Sequence, residues 1–431
     1  MQVQLENLGK LERRLTVRFP AEQFESRVRE RMTELGRNVR LKGFRPGKVP
    51  AKVIEQRFGA QIRGEALSDL VGSTFREAVQ QEKLQPAAAP NIDTSGKPEG
   101  GEIAYTATFE VLPEMPAVDV AALQIERGTA QVSDADIDTM IETLRTQRRS
   151  FADVERAAQA GDMVTFDYAA RAGDYRHPVE GRERAATVIG SGASFAAFEE
   201  VLRDHRPGEE FEAAVAFPVE FRDPQIAGKM AQVDVKIEKV RESRLPEVDE
   251  AFIRGFGLTD GDVETFRKEV RANLERELDN ALRMRLRNEV ATRLVDAHPE
   301  LDVPQVLVET ESERLVRASA PGLPAKTPIP PEARSAALPV ARRRVAAGLL
   351  LRDIGRSNGI RPDEKRVSQA VATIASTYEE PQKVIELYAS DPQLLDGVRN
   401  SVLEDQVAEW VSEHASAIER TLSFDEVMHP R

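Results

Sequence analysis

Apolar and polar residues alternate through Leu15, Val17 and Phe19 in "LERRLTVRF", the period-2 pattern of a strand with one buried face. The period then changes. Phe24, Val28, Met32, Leu35 and Val39 step by four, four, three and four, which places them on one face of a helix. A second helical stretch runs through Val53, Ile54, Phe58, Ile62, Leu67, Leu70, Val71, Phe75 and Val79, with a break expected near Gly59 and an end before Pro86. Alternation returns at Ile103, Tyr105, Ala107, Phe109 and Val111. Two strands and two helices in this order predict an α+β domain over residues 1–113, with the interhelical loop presented at one end.

Pro113 and Pro116 mark a boundary, and residues 114–150 read as a linker that contains a short helix over 134–149. After Gly161 come short alternating runs, Val164/Phe166/Tyr168, Ala213/Val215/Phe217 and Val233/Val235/Ile237, divided by Gly, Pro and Asp turns. They predict a small antiparallel β domain over 151–246. Beyond Pro246 the period is helical, and residues 247–431 are expected as an elongated all-α domain, so the fold class is α+β and multidomain.

Thr259 and Asp262 offer N-cap chemistry for a helix reaching about His298, on the order of 55 Å long at 1.5 Å per residue. Its apolar positions, from Val263 through Phe266, Val270, Leu274, Leu278, Leu282, Leu286 and Val290 to Leu294, step by four almost throughout. Such a stripe creeps about 40° round the helix at each step, so one flat partner cannot cover it. Either different neighbours bury successive parts, or part stays open, with Phe266, Leu274, Leu278 and Leu286 as candidates to hold an unfolded chain. The proline-rich residues 321–339 are expected as a loop, followed by helices over 340–354, 367–378 and a stretch from Leu394 to Val411.

Composition narrows the chemistry. In 431 residues, 41% are apolar, 31% charged and 5% aromatic, which suits soluble, mainly helical architecture in several domains. The absence of cysteine excludes disulfides, thiolate nucleophiles and cysteine metal sites, and makes the cytoplasm the expected location. The opening "MQVQLENLGKLERRL" mixes charges where a signal peptide needs an apolar run, so export is not expected. The apolar run over 345–351 is far short of the roughly 20 residues of a membrane helix, so no membrane partner is expected. His177, His205, His298, His414 and His429 stand singly, without metal-ligand spacing. "GSGASF" has neither the third glycine of a dinucleotide fingerprint nor the Gly-Lys-Ser/Thr of a P-loop. No metal or cofactor is therefore expected, and no carboxylate pair stands out as acid and base.

One stretch runs against the formal charge of −13. Between Gly36 and Gly64 lie Arg37, Arg40, Lys42, Arg45, Lys48, Lys52, Arg57 and Arg63 against the single acid Glu55. The run centres on "LKGFRPGKVP", a loop tipped by Phe44, and favours a phosphate backbone or an acidic partner.

Within that loop "GFRPGKVP" closely resembles the Gly-Phe-Arg-x-Gly-x-x-Pro signature of bacterial trigger factor. The order of an α+β head, a β domain opening "GDMVTFDY" and a helical region with "YEEPQKVIELY" and "LEDQVAEW" is similar to that family over essentially the whole chain. The resemblance implies an ATP-independent chaperone that docks on the large ribosomal subunit beside the exit tunnel, on ribosomal protein L23 and nearby rRNA, and holds nascent and unfolded polypeptides. It leaves a homodimer off the ribosome open. It assigns docking to Gly43, Phe44, Arg45, Pro46 and Lys48; Pro46 stands where the family has lysine, which removes a charge and stiffens the loop. The β domain is similar to FKBP-type peptidyl-prolyl cis-trans isomerases. By that resemblance Tyr168 is the first pocket tyrosine, Phe195 the apolar residue whose backbone meets substrate, Phe198 the aromatic floor, and Phe221 the loop residue that is usually tyrosine. A Phe-Asp pair of the family falls within "HPVEG", and Ala185 and Val233 stand where it has phenylalanines, so a wider, less aromatic pocket with weak activity is expected. The rival readings are a free prolyl isomerase with an incidental basic loop and an RNA-binding module whose helical arms oligomerise.

Overall fold

The computed structural model describes residues 1–39, 41, 44, 50–94, 101–192, 195–320, 322, 324 and 327–430. The chain opens with β1 (Gln2–Asn7) and β2 (Glu12–Pro20), followed by α1 (Ala21–Asn38), α2 (Ala51–Gln81), β3 (Asn91–Asp93) and β4 (Glu102–Glu110). The strands form an antiparallel sheet in the order β1-β2-β4-β3. Alternation in β2 buries Leu15, Val17 and Phe19 completely, opposite Ala107, Tyr105 and Ile103 of β4. Val71 and Ala78 of α2 belong to the same core. There the Tyr105 hydroxyl donates to the Val71 carbonyl at 3.3 Å and meets Thr74 Oγ1 at 3.1 Å. A second cluster joins α1 to α2 through Val28, Ile54, Ile62 and Ala66. A β-carbon on Gly36 would stand 2.9 Å from Ile54 Cδ1, so this glycine lets the end of α1 lie against α2. The break expected near Gly59 does not occur. One helical glycine costs about 1 kcal/mol, and α2 runs through a buried Gly59 held by packing on both sides.

The next elements are β5 (Gln124–Thr129), α3 (Asp134–Gln147), β6 (Ser150–Val154), β7 (Met163–Ala172), β8 (Tyr175–His177), β9 (Glu183–Val188), α4 (Ala196–Leu202), β10 (Glu210–Ala216) and β11 (Met230–Arg244). Residues 114–150 thus carry a strand as well as the expected helix, which starts in a Ser133–Asp136 capping box. Strands β6 to β11 form a six-stranded antiparallel sheet in which β11 pairs with β10, β7 and β6. Val164, Phe166, Val233, Val235 and Ile237 point into one core, and α4 contributes Phe198 and Leu202 to it.

The remainder comprises α5 (Glu250–Arg254), α6 (Val263–Ala297), α7 (Gln305–Ser319), α8 (Pro331–Ser357), α9 (Glu364–Ala375), α10 (Pro381–Ser390), α11 (Pro392–His414), β12 (Ser416–Thr421) and α12 (Phe424–Met428). Asp262 caps α6, accepting from the Thr265 backbone N–H at 2.8 Å. The expectation that 321–339 is all loop is overturned, because α8 begins at Pro331 and contains Pro339. Pro331 sits at the first helical position, where no N–H is required. The bond lost at Pro339 is outweighed by the burial of Ala341, Ala346, Leu349 and Leu350 beyond it. The helical core draws Val290 and Leu294 from α6, Val308 from α7, Leu350 and Ile354 from α8, and Val407 and Val411 from α11. Among the described residues the C-terminal region is helical apart from β12, which lies parallel to β5 and so brings the fully buried Ile125 into that core. The chain divides into two units, Met1–Thr129 with Leu282–Thr421, and Ala130–Ala281 with Leu422–Arg431. Among the described residues no helix is long and apolar enough to cross a membrane.

Candidate functional site

The β sheet of the second unit places Phe166 and Tyr168 two residues apart on one face of β7, aimed at α4. Phe195 is the N-cap of α4, and its carbonyl accepts from the Phe198 N–H at 2.8 Å, so the two rings stand one turn apart. The loop after β10 carries Phe217 and Phe221 and closes on itself through Phe217 N–H to Lys229 O at 3.0 Å and Gly228 N–H to Pro218 O at 3.1 Å. The rings then meet. Phe198 lies 5.1 Å from Phe195, 5.2 Å from Tyr168 and 5.2 Å from Phe166, centroid to centroid. Phe195 also reaches Phe217 at 5.1 Å and Phe221 at 6.3 Å. Tyr168, Phe195, Phe198 and Phe221 are therefore brought together, with Phe198 buried as the floor and Phe195 and Phe221 half-buried at the rim. Phe166 and Phe217 complete the cluster, so the small residues at Ala185 and Val233 do not leave it poor in rings. Both phenylalanines were visible in the strand alternation, which was the signal that could have named them.

A polar wall stands beside the rings, and sequence reasoning missed it. The His177 ring lies edge-on to Phe221 at 5.7 Å, with Nδ1 2.7 Å from Asp223 Oδ2 and Nε2 3.1 Å from Glu183 Oε2. The Tyr175 hydroxyl donates to Asp223 at 2.8 Å, the Tyr168 hydroxyl donates to Glu183 at 3.3 Å, and Arg222 pairs with Glu183. Burial, then the charge of Glu183, pushes the Tyr168 phenol up to about 12, so it stays a neutral donor. The Gln225 backbone N–H, and then the Tyr175 hydroxyl, hold the Asp223 carboxyl below its usual range. Burial opposes ionisation of Glu183, but Arg222 and His177 outweigh it and leave that carboxyl lowered as well. Chemically, the arrangement is an apolar floor with a hydrogen-bonding edge, suited to receiving a ring and an adjoining amide.

Phe44 lies between α1 and α2 and is 39% exposed, with its N–H donating to Leu41 O at 3.1 Å in a turn. Gly43, Arg45, Pro46 and Lys48 lie outside the described residues. The long-helix candidates need correction. Phe266, Leu274 and Leu278 are buried inside the protein, Phe266 against Phe252 and Phe256 at 6.0 and 5.5 Å, and Leu286 is half-buried on the helical core. The creeping stripe is covered, as a helix with changing neighbours would be, and the large apolar side chains left open along α6 are Val263 and Met284.

Comparison with known proteins gives the family. The family model "Bacterial trigger factor protein (TF)" matches residues 1–144, and "Bacterial trigger factor protein (TF) C-terminus" matches residues 262–413. Trigger factor of Xanthomonas euvesicatoria pv. vesicatoria is 46% identical over 437 aligned positions, covering 99% of this chain and 100% of its own. That of Stenotrophomonas maltophilia is 45% identical over 432 positions with the same shares covered. A solved structure described as "Promiscuous Substrate Recognition in Folding and Assembly Activities of the Trigger Factor Chaperone" aligns over 96% of this chain and 99% of its own, with TM-score 0.44 and 16% identity. On the strength of the two family models and the full-length relatives, the chain belongs to the trigger factor family.

Proposed function

We infer that this protein is an ATP-independent, ribosome-associated chaperone whose β domain is a peptidyl-prolyl cis-trans isomerase. The observation that carries the reading is identity of 46% with a trigger factor along the whole of both chains. Residues 1–113 are the ribosome-binding part, 151–246 the isomerase and 247–431 the part that holds clients, in the cytoplasm. Docking runs through Gly43, Phe44, Arg45, Pro46 and Lys48 onto ribosomal protein L23 and adjacent rRNA. An exposed aromatic tip supports this, because it offers apolar contact within a local excess of positive charge.

Holding a client needs no fuel. Apolar contact retains an unfolded segment until the segment buries its own apolar groups and competes the contact away. The side chains suited to this are the exposed Met284, Val340, Tyr378, Leu387 and Leu394, not the buried Phe266, Leu274 and Leu278. Isomerisation uses no nucleophile. The rings of Tyr168, Phe195, Phe198 and Phe221 receive proline and favour a twisted amide, whose uncatalysed rotation faces about 18–20 kcal/mol.

Co-sedimentation with bacterial ribosomes tests the central reading. Wild-type protein should pellet with ribosomes and progressively less as salt rises. Phe44→Ala combined with Arg45→Ala should remain in the supernatant with an unchanged circular dichroism spectrum. Equal pelleting of the double variant at physiological salt would reject the docking assignment.

A further inference from the structure

His177 is not one of the rings assigned to proline binding, yet it touches two of them: Phe221 at 5.7 Å and Tyr168 at 6.5 Å. Its side chain is 13% exposed and ends β8. The two ring nitrogens face carboxylates on different elements, Asp223 on the loop that carries Phe221 and Glu183 on β9. A neutral imidazole has one N–H and can donate to only one of them, leaving a lone pair against the other; an imidazolium donates to both.

The groups around the ring are accounted for. Tyr168 on β7 and Arg222 on the loop both bond Glu183, and Tyr175 on β8 bonds Asp223. Both carboxyls are held below their usual range and so stay ionised near neutrality. Arg222, Tyr168 and Tyr175 are each held above their usual range and keep their protons there. Within the loop the Phe221 N–H donates to Pro218 O at 3.1 Å and the Ile226 and Ala227 N–H groups donate to Asp223 O, so the loop moves as a unit, and the His177–Asp223 contact is a side-chain tie from that unit to β8.

We propose that His177 is a positioning residue of the proline site: its protonated ring ties the Phe221 loop to β9, sets the wall against which the substrate's proline packs, and so couples isomerisation to pH. The proposal rests on the isomerase reading. When the ring loses a proton, one tie becomes a lone pair facing a carboxylate, the loop draws away from β9, and Phe221 leaves the position that narrows the site. Activity is therefore highest with the ring charged and falls as pH rises.

The experiment uses the full chain and a protease-free assay on a peptide with leucine before proline, from about pH 5.5 to 9. Wild-type kcat/KM should fall by about tenfold over this range, a size ordinary for a displaced positioning contact. His177→Phe keeps a ring against Phe221 without a proton to lose, and its profile should be flat. Asp223→Asn keeps a partner for Tyr175 but removes the charge, and should flatten most of the dependence. A flat wild-type profile, or a His177→Phe profile that keeps the wild-type slope, overturns the proposal. If the wild type shows no isomerisation at any pH, the isomerase reading fails while this one is judged by nuclear magnetic resonance. Ring protons of Phe221 and Tyr168 should then titrate together with His177 in the wild type and stay still in His177→Phe, and their failure to move in the wild type overturns the positioning role.

Discussion

Phe195 and Phe198 sit in one ring cluster, but their surroundings give them different parts. Phe198 is 2% exposed and packs on Phe166, Tyr168, Phe195 and Phe217, so it is core as much as floor. Its truncation to alanine should cost about 3–5 kcal/mol of stability, and lost activity there would say little about substrate. Phe195 is half-buried at the rim, ahead of the first turn of α4. Phe195→Ala should cost no more than about 1–2 kcal/mol while lowering isomerisation by about tenfold, since it keeps the backbone that meets substrate but removes a ring that lines the rim against Phe217 and Phe221. Urea unfolding and the isomerisation assay on both variants decide this. Equal stability losses for the two would show that Phe195 is not a rim residue.

At the scale of a helix pair, α8 approaches α11 closely at Gly355. A β-carbon on Gly355 would stand 3.1 Å from Cγ2 of Val407, a fully buried, β-branched side chain with little freedom to turn aside. Gly348, two turns earlier, has nothing within 4 Å and borders a cavity of about 20 Å³. Gly355→Val should therefore destabilise by about 1–3 kcal/mol through overpacking, whereas Gly348→Ala should stabilise by about 0.5–1 kcal/mol through helix propensity. Trp410 on α11 is the chain's one tryptophan, and thermal unfolding followed by its fluorescence reads both changes. Shifts in the same direction would mean the packing of this pair is not as described. Such close approaches cannot be read from a periodic pattern, whereas the elements themselves mostly can. Strands β2, β4, β7, β10 and β11 and helices α1 and α11 each bury one face at a fixed period and were legible. The start of α8 was hidden because proline at a first helical position looks like a stop. Helix α10 is only ten residues long and half-buries Ile385 and Tyr388, too short a stripe to stand out, and β12 is exposed throughout. The parallel pairing of Ser416 with Gln124 depends on tertiary contact, as does the meeting of His177, Glu183 and Asp223. The stretch around Phe44 stands out in the sequence because its basic and aromatic residues are contiguous.

For the molecule as a whole the question is which segments the client-holding activity requires. The β domain leaves and re-enters the chain through neighbouring strands, with Ser150 paired to Arg244 and Phe151 to Ser243. The ends left by removing residues 150–244 are thus about 5 Å apart, close enough for a short Gly-Ser bridge. A larger cut of 114–246 would not be neutral. It would take β5 from β12, withdraw the fully buried Ile125 from the helical core, and strip α3 from the first part of α6. Asp138 and Asp134 of α3 hold Arg267 and Arg271 there at 2.6 Å each. Loss of Ile125 alone would cost about 2–5 kcal/mol. The chain lacking 150–244 should therefore keep the wild-type unfolding transition of Trp410 and still suppress aggregation of an unfolded protein, while losing isomerisation. The chain lacking 114–246 should melt at lower temperature and expose apolar surface to a hydrophobic dye. A chain lacking 150–244 that folds by the Trp410 criterion yet gives no protection would move the client-holding surface from the helical region to the β domain, because folding of the remainder would already exclude collapse as the cause.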